Sequence, residues 1–351
     1  MPVSEPKRLN FKVKIAIAFA VLVVFILGFT AFNYYLKIFG PNVTNNQEYL
    51  YIKTGSNFTD VYKTIRDQKI VRDTTTFLWS AQNMDYPAKV KPGRYRMEKG
   101  MSNRKLINML KAGNQEAVRI AFQNVRLKET FAGMISKKLE TDSISIIRLL
   151  DSVDYVEKLG FDTNSVYALF IPNSYEIYWN TSAEQFVNRM HDEYQKFWSA
   201  ERKAKAKMIS LSQVQVSVLA SIVDAEALHD KEMPVIAGLY MNRYKKGMRL
   251  EADPTVIFAN NDFTIRRVLN KHLRKESPYN TYLNLGLPPG PIAMPSINAI
   301  DAVLNYSNHD YIYMCAKEDF SGYHAFASNL QQHLINARKF QQALNERNIK
   351  K

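Results

Sequence analysis

This 351-residue chain has one cysteine, Cys315, which rules out an internal disulfide and any multi-cysteine metal site. Cys315 ends the apolar, strand-like run DYIYMC, where a small core residue is expected. No histidine pair or other ligand set has the spacing of a zinc site, and no sequence feature calls for a cofactor. Acids are scarce relative to bases: Asp+Glu number 33 against 47 for Lys+Arg, a net charge of +14. That balance comes without a helix-turn-helix, zinc-finger or RNA-binding strand signature. The charge is also dispersed over short clusters at Lys89–Arg96, Arg202–Lys207 and Arg266–Lys275, so a nucleic-acid partner is not expected. Anionic lipid headgroups or an acidic wall polymer account for it at least as well. A second long hydrophobic run is also missing, which limits the chain to a single pass through a membrane.

The one such run, Ile15 to Phe32, is charge-free over about eighteen residues, the lower limit for spanning a bilayer's hydrocarbon core. Lys7, Arg8, Lys12 and Lys14 precede it, and Asn33, Tyr34 and Tyr35 follow as interfacial anchors. By the positive-inside rule a tail of residues 1–14 is cytoplasmic, residues 15–35 form the anchor, and the remainder lies outside. Phe29, Phe32 and Tyr34 make a poor small-residue cleavage site, which favours an uncleaved anchor over a signal peptide.

Beyond the anchor the pattern is α+β. A strand, a glycine turn and a helix recur: Tyr49–Thr54, Gly55-Ser56 and Phe58–Arg66, then Gly93–Met97, Gly100-Met101 and Lys105–Lys111 with Ser102 as N-cap. A looser third copy runs from Val118–Val125 into Thr130–Leu139. From about Thr141 the reading is helical, through Ile144–Leu150 and Ala183–Trp198, with the Pro-Asn-interrupted segment LFIPNSYEIYW at 169–179 between them. The division expected is a small α+β domain over 46–125 and a larger mixed α+β domain over 126–351.

Glu226 is the most chemically suggestive position. In LASIVDAEAL (219–228), Leu219, Ile222 and Val223 have the i, i+3, i+4 spacing of one helical face, and Glu226 is the next position on it. Asp224 is thrown off that stripe. A carboxyl in an apolar stripe is desolvated, which raises its pKa towards the range of a general acid. On periodicity alone, a core-edge glutamate paired with an arginine is the commoner outcome.

The segments downstream reverse those odds. Ile222-Val223 with Asp224 and Glu226, Asn242-Arg243, Gly247-Met248, Asp253-Pro254-Thr255, Tyr279 to Tyr282, Gly286 to Gly290 and Gly322 to Phe326 follow in order. This series resembles the catalytic domain of the endolytic murein transglycosylases, strongly from about Leu219 and weakly before it. Three departures stand out: Pro172-Asn173-Ser174-Tyr175 where Pro-Asp-Thr-Tyr is usual, Asp224 for a glutamate, and Tyr323 for a glycine before His324.

The resemblance implies an enzyme of the inner membrane, anchored through Ile15–Phe32, with its catalytic domain in the periplasm. Its substrate would be nascent peptidoglycan glycan strands and its neighbours membrane-bound peptidoglycan synthases. It implies a LysM-like domain at 46–125, although no aromatic platform for glycan is legible there. Ordinary glycosidases use two carboxyls, whereas here only Glu226 has both the face and the motif context. One acid suffices if the C6 hydroxyl of muramic acid attacks its own anomeric carbon to close a 1,6-anhydro ring, as the resemblance implies. Glu226 then acts as acid and base in turn. Asn242, Asp253, Thr255, Tyr279, Asn280, Tyr282 and His324 are the candidate substrate-binding residues.

Each of these has a structural alternative. Asp253-Pro254 reads equally as a helix start with Asp253 as N-cap. Asn242 is expected to meet substrate or to hold Glu226, and Arg243 needs an acidic partner. Gly247 reads as a helix-ending glycine, Pro288–Pro291 as a cleft wall, and His324 as a second proton carrier or a satisfied strand histidine. Two other functions stay open: a lysozyme-like peptidoglycan hydrolase using a second carboxyl such as Asp253, and a non-catalytic, membrane-tethered wall-binding scaffold.

Overall fold

A computed structural model describes residues 10–44 and 46–347. Lys7 and Arg8 of the expected cytoplasmic tail, and the last four residues of the expected catalytic domain, lie outside the described residues. The described chain falls into two units, one reaching to Val118 with Tyr178–Asn180 added, the other formed by the rest.

The first unit opens with helix α1 (Phe11–Phe39), 29 residues long. At about 1.5 Å per residue it is roughly 43 Å long, against about 30 Å for a bilayer's hydrocarbon core. It is therefore long and apolar enough to cross a membrane with turns to spare. It outruns the apolar stretch at both ends and stops at Gly40, which precedes Pro41, a residue that biases its predecessor away from helix. Strand β1 (Tyr49–Ile52), helices α2 (Phe58–Asp67) and α3 (Thr74–Asn83), strand β2 (Gly93–Arg96) and helix α4 (Asn103–Ala112) follow. β1 and β2 pair antiparallel with Leu50 opposite Tyr95. Val61, Ile65, Phe77, Tyr86, Leu106 and Leu110 close the core around them. Ser102 caps α4 by accepting from the Lys105 amide at 3.3 Å.

The C-terminal turn of α1 is fastened to this unit by buried amides. Asn103, 1 % exposed, donates to the Lys37 carbonyl at 2.9 Å and accepts from Asn42 at 2.8 Å. Ser80 donates to the same carbonyl at 3.2 Å. Carbonyls in the last turn of a helix have no partner within it, so these bonds satisfy a group that would otherwise be orphaned.

The second unit takes in strand β3 (Val118–Phe122) from Arg119 onward. Helices α5 (Lys128–Ser136), α6 (Ser143–Leu150) and α7 (Val153–Lys158) follow, then strand β4 (Asn173–Ile177) and helices α8 (Ala183–Phe197) and α9 (Ala200–Met208). β3 pairs with β4 and not with the β1–β2 sheet, so the division falls at Val118 and the third strand-and-helix copy belongs to this unit. Helices α10 (Gln213–Glu226), α11 (Met233–Lys245), α12 (Asp253–Asn260), α13 (Asn270–Leu273) and α14 (Ile297–Leu304) come next. The hairpin of β5 (Tyr313–Ala316) and β6 (His324–Ala327) and the long helix α15 (Leu330–Glu346) complete the unit. α10 is its axis, packed against both α11 and α14.

Candidate active site

α10 begins with a capping box in which the Ser212 hydroxyl accepts from the Gln215 amide at 3.1 Å and the Gln215 side chain accepts from Ser212 at 2.8 Å. Every residue from Val216 to Val223 is buried, so the helix is enclosed on all sides and not on the single stripe read from the sequence. What singles out Glu226 is its place as the last helical residue, where the chain turns extended at Ala227 and the axis opens into a cleft. The cleft, of about 290 Å³, is lined by Glu226, Tyr240, Glu251, Asp253, Tyr282 and His324 among others.

Burial raises the Glu226 carboxyl, a hydrogen bond from Tyr240 opposes it and the Asp253 charge adds a smaller rise, which together leave it at about 7. That bond runs from the Tyr240 hydroxyl to Glu226 Oε1 at 2.9 Å. The partial negative charge at a helix C-terminus also disfavours an anion there. Asp224 faces the other way. Its two oxygens accept from the Ser296 amide (3.0 Å) and hydroxyl (2.7 Å), and Ser296 is the N-cap of α14.

α11 supplies the next wall. Tyr240 is buried, and desolvation together with the neighbouring carboxylate of Glu226 holds its hydroxyl well above the ordinary range, so it stays a proton donor to Glu226. Arg243, 6 % exposed, donates to the Arg249 and Ile312 carbonyls, both at 2.8 Å, and pairs with Glu251, the acidic partner its position required. Asn242 donates to the His309 (2.6 Å) and Tyr311 (3.0 Å) carbonyls. The structure does not bring it to Glu226. The helix closes at Gly247 (φ +66), with Gly247 donating to the Tyr244 carbonyl and Met248 to that of Arg243. This is a Schellman ending, in a backbone conformation that favours glycine.

Asp253 is the first residue of α12, and Ala252 holds the N-cap position expected for it. The Asp253 carboxylate turns into the cleft to accept from the Tyr282 hydroxyl at 2.7 Å. Thr255, Tyr279 and Asn280 do not line the cleft. Thr255 is buried, bonded to the Ala252 carbonyl (2.7 Å) and Thr281 Oγ1 (2.8 Å). Asn280 is buried and donates to the Leu273 and Lys275 carbonyls. Tyr279 packs its ring on Phe258, with centroids 4.7 Å apart. Pro288–Pro291 stand outside the cleft too, and the following Ile292 amide braces α10 at the Ser221 hydroxyl.

His324 lines the cleft, its Nδ1 2.8 Å from Glu232 Oε2 and its amide donating to Glu232 Oε1 at 2.7 Å. Cys315 also lines it from β5, half-buried, instead of sitting in the core. The partners Tyr240, Glu232 and Glu251 were not legible as site residues. Tyr240 read as one apolar residue of a helix, and nothing in the sequence ties it to a glutamate fourteen positions earlier.

The chain matches the model of a protein family described as YceG-like over residues 50–339. It is 27 % identical over 316 residues to a protein of Bacillus subtilis (strain 168) named endolytic murein transglycosylase, a match covering 84 % of this chain and 85 % of that one. A protein of the same name from Streptococcus pneumoniae serotype 2 (strain D39) is 24 % identical over 339 residues, and the match spans 87 % of this chain and 61 % of the relative's length. A crystal structure of a yceG-like protein from Listeria monocytogenes shares the fold, with a TM-score of 0.54 at 22 % identity over 82 % of this chain and 98 % of that one.

Proposed function

This chain belongs to the YceG-like family, and from that membership and the setting of Glu226 we propose that it is an endolytic murein transglycosylase. It cleaves the bond between N-acetylmuramic acid and N-acetylglucosamine within nascent peptidoglycan strands and leaves 1,6-anhydro ends. The observation that carries this is the Glu226 carboxyl, the one acid of the cleft raised to about 7, chiefly by burial, and held by the Tyr240 hydroxyl. A group with that affinity is protonated often enough near neutral pH to donate, and ionised often enough to accept.

Glu226 protonates the glycosidic oxygen as the bond from the muramic acid C1 breaks. The C6 hydroxyl oxygen of the same sugar bonds to C1, and its proton passes to the Glu226 carboxylate, restoring the acid. The N-acetylglucosamine unit leaves with a free hydroxyl, and water is not consumed. Tyr240 orients the carboxyl throughout. No metal or cofactor takes part.

We read α1 as a single-pass anchor in the inner membrane, with Lys12 and Lys14 on the cytoplasmic side and the chain after α1 in the periplasm. The first unit is LysM-like in this reading. The anchor places the cleft near strands emerging from membrane-bound synthases, so cleavage limits strand length.

One observation favours a second reading, a lysozyme-like hydrolase: Asp253 supplies another carboxylate in the same cleft. Its engagement by Tyr282 speaks against free service as a nucleophile or base. The test is Glu226→Gln in the full chain, which keeps size and hydrogen bonding but has no proton to transfer. Release of soluble muropeptides from glycan strands should be lost while the melting temperature holds. Substantial release by that variant would remove Glu226 from the chemistry.

A further inference from the structure

The segment that follows α10 meets the turn of the β5–β6 hairpin. Tyr323 lies nearly flat on His229, with ring centroids 4.2 Å apart and planes 20° from parallel. The His229 Nε2 is 2.8 Å from the Ser321 carbonyl, which fixes the imidazole against the hairpin. Between them Gly322 (φ +80) lies so close to the Leu228 side chain that a Cβ there would collide with it. Segments 228–229 and 321–323 are thus clamped together. Each leads directly into the cleft, since His229 is three residues beyond Glu226 and Tyr323 immediately precedes His324.

The clamp nevertheless turns apolar surface outward. Leu228 is 72 % exposed and Tyr323 36 % exposed, although one face of the Tyr323 ring is covered by His229. Scattered exposed hydrophobics are ordinary, but a backed aromatic ring beside an exposed leucine at the end of a polar cleft forms a patch with a use.

We propose that Tyr323, backed by His229 and flanked by Leu228, is a sugar-stacking ledge that takes the apolar face of an N-acetylhexosamine ring beyond the bond being cleaved. This rests on the reading of the cleft as a glycan site and adds a specificity determinant to it. A pyranose ring has one face of C–H groups and a rim of hydroxyls, and a tyrosine at a wet edge offers the matching apolar face and polar tip. Because His229 already holds the ring, little side-chain freedom is lost on binding. The residues of the ledge are not among those lining the cleft, so a sugar resting there lies beyond the one at Glu226.

The test uses the full chain in detergent micelles, with the β-1,4-linked hexamer of N-acetylglucosamine as binding probe and uncross-linked glycan strands as substrate. In a Glu226→Gln background, Tyr323→Ala should weaken hexamer binding roughly three- to tenfold, the range expected for one lost ring contact. With Glu226 intact, Tyr323→Ala should raise KM by a similar factor and leave kcat within about twofold. Tyr323→Phe should restore both. Leu228→Ser, at a position too exposed to endanger folding, should weaken binding in the same direction and serves if Tyr323→Ala folds poorly. Unchanged hexamer affinity in Tyr323→Ala and Leu228→Ser, or a fall in kcat with KM unmoved, would overturn the ledge. With the wild type still cleaving strands, that result leaves the transglycosylase reading standing. A wild-type chain that neither cleaves strands nor binds the hexamer would overturn both.

Discussion

At Glu226, burial and the charge of Asp253 favour the protonated carboxyl, and the Tyr240 hydroxyl favours the carboxylate. The folded value of about 7 lies above the ordinary carboxyl value, so the proton is present at low pH and is lost as pH rises through about 7. Cleavage that needs this proton should fall along the same limb in a kcat/KM profile. Tyr240→Phe removes the donor that stabilises the anion and should move the fall to higher pH. Asp253→Asn removes a like charge and should move it lower. Shifts of the same sign in both variants would mean that the limb belongs to another group. Glu226→Gln should cost on the order of a hundredfold or more in rate. Asp224→Asn should behave differently, losing about 1 kcal/mol of stability through its bonds to Ser296 while retaining cleavage. Thermal melts beside activity assays separate the two, and equal loss of activity in both variants would contradict the division of labour between these acids.

Among the elements, those whose signals are local were legible. Ser102 before α4 and Gly247 after α11 act within a turn of their own helices, and the structure has them where capping chemistry puts them. Helix α3 was not read from the sequence: it opens on three threonines of modest helix propensity and depends on the Asp73 cap and on packing against α4. The pairing of β3 with β4, the burial of α10 on every side and the turning of Asn242 towards the 309–311 loop are long-range outcomes that no local spacing specifies. The fastening of α1 to the first unit is of the same kind. Asn103→Ala would leave the Asn42 amide short of an acceptor and the Lys37 carbonyl short of a donor in a buried setting. The expected cost is about 2 kcal/mol, read as a lower melting temperature of the full chain in micelles. An unchanged melting temperature would show that Ser80 alone suffices to hold that carbonyl.

For the whole molecule, the proposed function joins a membrane-length helix to a cleft of this chemistry and thereby makes location part of specificity. A secreted form starting near Gly40 keeps every group that lines the cleft and the buried Asn42–Asn103 bond, so it should cleave glycan strands in solution. In cells at matched expression it should fail to shorten newly made strands, because the tether supplies the local concentration. Glycan length distributions in cells carrying only one form or the other measure this, and identical distributions would reject the role of the tether while leaving Glu226 untouched. The central chemical claim is tested most directly by digesting glycan strands with the full-length protein in water enriched in heavy oxygen and weighing the new muramic acid ends. Transglycosylation by Glu226 predicts anhydro ends carrying no label. Reducing ends that have gained labelled water would contradict it and make the protein a hydrolase.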